Sequence, residues 1–237
     1  MDYPQSEAWE RQVEAQVMKV FGPLQSARTV DEIDRRLANM QGDLEQALDE
    51  AFDRIYEQAI IFVLLFMMQE DPGYQQFVDE FRRDPRLASD LGTQQAKRIA
   101  AEVTDSTRRR VVEFRGRPVR PGSPVPDGAA PSTPSPEFDE FRNNLFGRGR
   151  AEAIGITETT EAISQAETQA AAIVTNSTSP HALHGTWITA DDEKVCPICW
   201  PLHEQPQEVY SLTFRNGPPA HPRCRCRIRW AVRSGRG

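Results

Sequence analysis

The feature of this sequence that most constrains its fold is a proline-rich segment near the middle of the chain. Between Gly116 and Glu137, seven prolines and three glycines fall within twenty-two residues. Proline lacks a backbone N–H and fixes φ, so such a stretch forms neither a helix nor a central strand. The segment therefore predicts a linker over 116–137, between a helical region over 1–115 and a C-terminal domain over 138–237.

One long helix is predicted before the linker. Thr29 and Glu32 have the spacing of a capping box, which indicates that a helix begins there. Apolar residues then recur at steps of three and four, which is the pattern of one buried helical face. This stripe consists of Ile33, Leu37, Met40, Leu44, Leu48, Phe52 and Ile55. We expect the helix to extend from about residue 31 to Gln69.

Shorter helices are predicted on both sides of this long one. The amphipathic segment that starts at Ser6 is expected to end at Gly22 and Pro23. A helix of about ten residues should end before Pro85, and another should begin near Ser89 and continue to the linker. The fold class is therefore mainly α in this half of the chain.

The apolar run from Ala59 to Met68 is the most hydrophobic part of the chain. Ten residues are too few to cross a hydrocarbon layer of ~30 Å as a helix, so no membrane span is expected. In an isolated helical arm these side chains would surround the helix, and they would need cover on every side. We therefore predict a partner contact at Leu65 and Phe66; the alternative is burial within the chain's own helical bundle.

After the linker, helical character returns and then changes to short strands. Strands are predicted at 185–192, 208–219 and 225–232, separated by turns. The aromatic residues expected to form their core are Trp187, Trp200, Tyr210, Phe214 and Trp230. So small an α+β unit has few aliphatic residues, and a bound metal would help it to fold.

All four cysteines of the chain lie within its last forty-two residues, together with a histidine. Cys196-x-x-Cys199 and His221-x-x-Cys224-x-Cys226 offer five ligands for the four positions of a tetrahedral zinc ion. We rank Cys196, Cys199 and Cys224 first, His221 fourth and Cys226 as the reserve. Two disulfides or a redox-active pair are the alternatives. The N-terminus has no apolar leader, so a reducing compartment is expected, and this favours zinc.

No catalytic constellation is apparent in the sequence. His203 and Glu204 begin like a metalloprotease H-E-x-x-H motif, but Gln207 occupies the second histidine position. The H-x-E motif of zinc deaminases does not occur before Cys196. We therefore expect a protein that is not an enzyme.

The net charge of −7 conceals a basic C-terminus. From Arg215 onward the chain has seven arginines and no acidic residue, so the rest of the chain sums to −14. A basic tail on an acidic body favours a polyanionic partner such as double-stranded DNA. The candidate contacts are Arg223, Arg225, Arg227, Arg229, Arg233 and Arg236. The alternative is that these arginines only flank a strand.

Motifs from residue 141 onward resemble the C-terminal part of the Mu F-like phage head morphogenesis proteins. The resemblance rests on a helix with an arginine and a Thr-Glu pair, a Trp, a D-x-x-V-C-P-x-C loop and a closing P-x-H-P-x-C-R-C. The matching residues are Arg150, Ala151, Ile154, Thr157, Glu158, Trp187, Asp192, Cys196, Cys199, Pro219, His221, Cys224 and Cys226.

The resemblance implies a minor capsid protein of a tailed phage. Such a protein would bind the portal or the major capsid protein during head assembly in the bacterial cytoplasm, and would remain in the virion. It would have a part in DNA packaging and ejection, and self-association is compatible with this role. There are two alternatives to this role. The first is a zinc-module DNA-binding protein, and the second is an enzyme that is carried in the virion.

Overall fold

A computed structural model describes residue 3 and residues 5–70, 72–116, 135–177, 183–189 and 196–232. Seven α-helices and two strands form within these ranges, so the chain is mainly helical, with a small C-terminal sheet. The elements are α1 (Ser6–Gln25), α2 (Val30–Glu70), α3 (Gln75–Arg83), α4 (Arg86–Arg115), α5 (Pro136–Phe146), α6 (Arg148–Ser177), β1 (Leu183–Ile188), α7 (Gln207–Tyr210) and β2 (Arg227–Val232). Most of the predicted linker, residues 117–134, lies outside the described residues.

Helix α2 is the long helix that the apolar stripe predicted, and all seven stripe residues are buried. Its start is capped by Thr29, whose hydroxyl accepts a hydrogen bond from the Glu32 N–H at 3.2 Å. The Glu32 carboxylate accepts from the N–H of Arg28 at 2.8 Å, one residue before the partner that a standard capping box uses. The prediction of this helix is confirmed.

Helices α2 and α4 lie antiparallel and form the most extensive helix pair of the molecule. Arg115, at the end of α4, contacts Asp31 at the start of α2, whereas Ser89 donates to Asp53 at 3.2 Å. Gly92 allows the backbones to approach, because a Cβ there would lie 2.6 Å from the Asp53 nitrogen. A side chain at this position would push the two helices apart.

Helix α6, which follows the linker, packs against α1 and α2, which precede it. A Cβ on Gly155 would lie 2.7 Å from the carbonyl oxygen of Glu10, so α1 and α6 also approach closely at a glycine. Helices from both sides of the linker thus share one cluster of buried side chains. The boundaries of the two predicted units, 1–115 and 138–237, remain a prediction.

Three predicted helix boundaries differ from the structure. Helix α1 passes through Pro23 and ends at Gln25. Pro23 has no N–H to donate to the preceding turn, and the helix ends two residues after it, where the Ser26 N–H donates to the carbonyl of Pro23 at 3.3 Å. Helix α4 begins at Arg86, directly after a proline, rather than near residue 89. Helix α5 begins inside the predicted linker, because Ser135 caps it by accepting the Phe138 N–H at 3.2 Å.

The C-terminal sheet has two antiparallel strands, with Trp187 of β1 opposite Ile228 of β2. The strand predicted at 208–219 is wrong: the chain there forms α7 and turns. The N–H groups of Val209 and Tyr210 both donate to the carbonyl of Pro206, and Tyr210 packs on Trp187 with ring centroids 5.5 Å apart. The turn thus provides local hydrogen-bond acceptors for backbone N–H groups that, in a strand, would need a neighbouring strand.

Candidate metal centre

The two halves of the cysteine motif form two turns that face each other. In the first, the N–H groups of Cys199 and Trp200 donate to the carbonyl of Cys196 at 3.1 and 3.0 Å. In the second, the N–H of Cys224 donates to the carbonyl of His221 at 3.1 Å. Each turn thus places its first and fourth residues on the same side, which is why the C-x-x-C and H-x-x-C spacings are suited to one metal ion.

The donor atoms of these turns lie close together. His221 Nε2 is 2.9 Å from Cys196 Sγ and 3.2 Å from Cys199 Sγ. The sulfurs of Cys199 and Cys224 are 3.8 Å apart. Zinc–sulfur bonds of ~2.3 Å at tetrahedral angles would separate two sulfurs by about 3.8 Å, so this pair has the spacing of a zinc site.

Five residues supply the donors, and two groups of three share Cys199. Cys196, Cys199 and His221 form one group, and the second consists of Cys199, Cys224 and Cys226. Within each group all donor atoms lie within 4.8 Å of one another. Thiolate and imidazole are the ligands that zinc prefers, so the residues present fit that ion. All five predicted ligands therefore lie at one place.

The second ring nitrogen of His221 fixes the orientation of its imidazole. Nδ1 lies 2.8 Å from the carbonyl oxygen of Pro222, and a proton on Nδ1 can be donated to that oxygen. This tautomer leaves the lone pair of Nε2 directed at the sulfurs. The arrangement is the one by which metal-binding histidines are usually held.

The protonation of the thiols depends on their neighbours. Burial raises the pKa of Cys199 to about 12, whereas the hydrogen bond from Cys226 lowers the pKa of Cys224 to about 5. The same hydrogen bond raises the pKa of Cys226. A group of buried thiols cannot all ionise without a compensating cation, so the cluster is suited to bind a metal and release protons as it does so.

Side chains of α6 and α1 hold the ligand-bearing segment, and the sequence did not reveal all of them. The Thr157 hydroxyl accepts the N–H of Arg223 at 2.8 Å, and Thr160 donates to the carbonyl of Cys224 at 2.6 Å. Arg225 donates to both oxygens of the buried Glu10 carboxylate, at 3.0 and 2.8 Å. Only Thr157 had a sequence indication, because it belongs to the family pattern.

Two other residues of that pattern join helices rather than reach the metal cluster. Arg150 donates to the carbonyls of Leu145 and Val103, and to two hydroxyl groups of α4. Burial raises the pKa of Glu158 to about 7, although this carboxylate lies 2.6 Å from Arg98 of α4. Both residues therefore attach α6 to α4.

The arginines predicted to contact DNA differ in their surroundings. Arg223 forms an ion pair with Glu152 at 3.2 Å, and Arg225 forms one with Glu10 at 2.8 Å. Arg227 is half-buried and Arg229 is exposed at successive outward positions of β2. Arg233 and Arg236 lie outside the described residues. Burial alternates from residue 223 to residue 230, with the four arginines exposed or half-buried and the residues between them buried, although β2 itself begins only at Arg227.

The apolar run on α2 is partly covered by the chain itself. Ile60 and Leu64 are fully buried between helices, whereas Leu65 and Phe66 are half-buried. Within the described ranges, no helix combines the length and the apolar character needed to span a bilayer.

The fold and the site define a helical protein with a small C-terminal module built around a cysteine–histidine cluster. The family model described as Phage Mu protein F like protein matches residues 93–229, more than half of the chain. The chain therefore belongs to the Phage Mu protein F like family, and this membership suggests a phage head morphogenesis protein. No curated protein and no solved structure matches the chain.

The matched range contains all five candidate ligands and both strands up to Arg229. It begins at Thr93, within α4, so it extends further toward the N-terminus than the resemblance from Phe141 onward indicated. Helix α4 contributes the partners of Arg150 and Glu158, which explains physically why the family unit includes it.

Proposed function

We propose that the protein is a minor head protein that binds the portal or the inner surface of the capsid during head assembly in the bacterial cytoplasm. The observation that supports this most directly is the match to the Phage Mu protein F like family over residues 93–229. The test is to purify assembled heads and to measure the chain and the portal protein that co-purifies with it. Heads that lack the chain would refute the proposal.

We propose further that the cluster holds one structural zinc ion through Cys196, Cys199, Cys224 and His221, with Cys226 in reserve. Four protein ligands would leave no open position for a reacting water molecule, so the role is structural. Elemental analysis of the purified protein should find about one zinc per chain. Metal-free protein with reactive thiols and an unchanged melting curve would contradict this.

Partner contact is proposed at Leu65 and Phe66 of α2. These residues are half-buried, while the opposite face of the same helix lies in the core. A double substitution of Leu65→Ser and Phe66→Ser should reduce incorporation into heads at least tenfold without loss of zinc. Val112→Ser, at an exposed apolar residue of α4, is the control. Normal incorporation of the double variant would assign these side chains to the chain's own bundle.

Contact with packaged DNA is a second proposal, and it rests on Arg229. This arginine is exposed at the end of the family match and precedes Arg233 and Arg236 in a tail without acidic residues. Phosphate contacts release counterions, so binding to duplex DNA should weaken steeply with salt. Replacing the three arginines by alanine should flatten that dependence; an unchanged slope would contradict the proposal.

A further inference from the structure

We propose that the outward face of residues 196–212 is a docking surface for a head protein that presents apolar anchors with a basic rim. This inference rests on the proposed function and names the chemistry of the partner at a second surface, distinct from α2. We call this surface the module face. It is defined by the exposed apolar side chains of Ile198, Trp200, Val209 and Leu212, together with the exposed Glu204 and Glu208 of the same segment.

The module face contains most of the large apolar side chains that the described part of the chain exposes. Trp200 is 68% exposed, Leu212 86%, Ile198 52% and Val209 46%. Val112 on α4 is the fifth such residue in the described ranges. Four of five within fifteen residues is a concentration that marks contact surfaces in soluble proteins, where exposed apolar residues are otherwise scattered.

The exposure of these residues follows from how the same segment is anchored on its inner side. Cys199, between Ile198 and Trp200, is buried in the metal cluster. Tyr210, next to Val209, is buried against Trp187. The inner positions are thus occupied by the cluster and the sheet, while the neighbouring Ile198, Trp200 and Val209 are exposed.

One ring contact restrains the exposed Trp200. Its ring stacks on His203 at an interplanar angle of 9° with centroids 6.5 Å apart. His203 is fixed in turn, since its Nδ1 lies 2.8 Å from the Thr189 hydroxyl. A large aromatic side chain that is already ordered loses little entropy on binding, which is the property of an interface anchor.

The charged side chains of the module face indicate the charge of the partner surface that it fits. Glu204 and Glu208 are exposed, and neither forms an ion pair with a lysine or arginine of the described residues. In the sequence from 190 to 217 there are five acidic residues and two basic ones, a net charge of −3; the charged residues at 191–194 lie outside the described residues. An apolar centre with an acidic rim is complementary to an apolar surface with a basic rim.

The same charges argue against a second copy of this chain on this face. A two-fold contact places the same patch on both subunits, so Glu204 and Glu208 would lie against their own equivalents. Like charges that face each other at an interface are unfavourable, and no described basic residue of the module face compensates for them.

The test measures copies of the full-length protein in purified heads. Trp200→Ser with Leu212→Ser should reduce incorporation at least tenfold relative to wild type, whereas Val112→Ser should leave it unchanged. Zinc content per chain reports whether the module is still folded. Glu204→Lys with Glu208→Lys, at exposed polar positions outside the core, should cause a similar loss by repelling a basic rim.

The outcomes separate this inference from the proposed function. Wild-type chain absent from heads would overturn both. Wild type present, with the serine variant incorporated equally, would overturn the module face alone. Normal incorporation of the lysine variant would overturn the basic rim. Sedimentation that shows a wild-type dimer and a monomeric serine variant would assign the face to a second copy and overturn the proposed partner.

Discussion

At the scale of single residues, His221 joins the two turns of the cluster. Its Nε2 lies within 3.2 Å of both sulfurs of the first turn, while its backbone starts the second turn. Without the imidazole, the sulfurs of Cys196 and Cys199 would have no ligand atom from the second turn at the Nε2 position. Cys226, by contrast, lies beside Cys199 and Cys224, which are candidate ligands already.

We therefore expect His221→Ala to lower zinc retention more than Cys226→Ala. The measurement is zinc per chain after dialysis against a series of chelator concentrations, with both variants treated in parallel. The effect should be about tenfold or more, as is typical when a ligand or its support is removed. Greater loss from Cys226→Ala would make the thiol the fourth ligand and the imidazole the reserve.

The cluster could be predicted from spacing, but the choice among its five donors could not. C-x-x-C and H-x-x-C both form four-residue turns, and this is visible in the sequence. Cys226 lies two residues beyond Cys224 and is buried beside it, which depends on how β2 packs on α6. Spacing contains no information about that packing.

At the scale of elements, Glu167 attaches β2 to α6. Its carboxylate is buried and accepts the N–H of Ile228 at 3.0 Å. Burial raises the pKa of Glu167 to about 8, although the Ile228 N–H and nearby Arg227 oppose that shift. An ordinary glutamate ionises near pH 4.3, so the native state keeps a proton here that the unfolded chain loses.

This difference predicts the direction of the pH dependence. Because the folded protein binds more protons than the unfolded chain between about pH 4.5 and 8, the free energy of unfolding falls as pH rises through that window. One such group changes it by at most about 1.4 kcal/mol per pH unit. Glu167→Gln keeps an acceptor for Ile228 and removes the titration.

The measurement is denaturant unfolding of wild type and Glu167→Gln at pH 6 and pH 8. Stability of the variant relative to wild type should increase with pH over this interval. Other titrating groups are present in both proteins and cancel in the comparison. A constant difference between the two proteins would mean that Glu167 is ionised throughout the interval.

The secondary structure was predicted correctly where one hydrophobic period extends along an element. It was predicted wrongly where local hydrogen bonds determine the backbone conformation. The bounds predicted for α2, about residue 31 to Gln69, differ from the observed ones by one residue at each end, and every position of its apolar stripe is buried. The segment 208–219 has β-forming residues but folds into α7 and turns around Pro206 and Tyr210. Trp200 was expected in the core because it is aromatic, yet it is exposed, since Cys199 occupies the inner position.

At the scale of the whole molecule, the ligand-bearing segment is attached to the first helix of the chain. Arg225 lies between Cys224 and Cys226 and binds Glu10 of α1 through two hydrogen bonds. The Glu10 side chain is 11% exposed and the Arg225 side chain 35%, so the carboxylate is shielded from water while the guanidinium is only partly covered. Removing Arg225 would leave the buried Glu10 carboxylate without this partner, at a cost below the about 3–5 kcal/mol of a fully buried pair because Arg225 is partly exposed to water.

Removal of the metal should therefore loosen α1 as well as the module. Without a cation the cluster must rearrange or protonate, and the segment that positions Arg225 loses its anchor. Hydrogen exchange after chelation should increase in β1, β2 and the first turns of α1 near Glu10. The centre of the α2–α4 pair, near Gly92, should remain protected because its contacts are independent of the module.

Arg225→Ala provides the second arm of this experiment. If the ion pair transmits the effect, the variant should show raised exchange near Glu10 while it still holds zinc, and chelation should add little further exchange there. Arg11→Ala, which removes an exposed pair with Glu7, is the control and should change neither property. Exchange near Glu10 that stays low after chelation would show that α1 is held by its contacts with α6 alone.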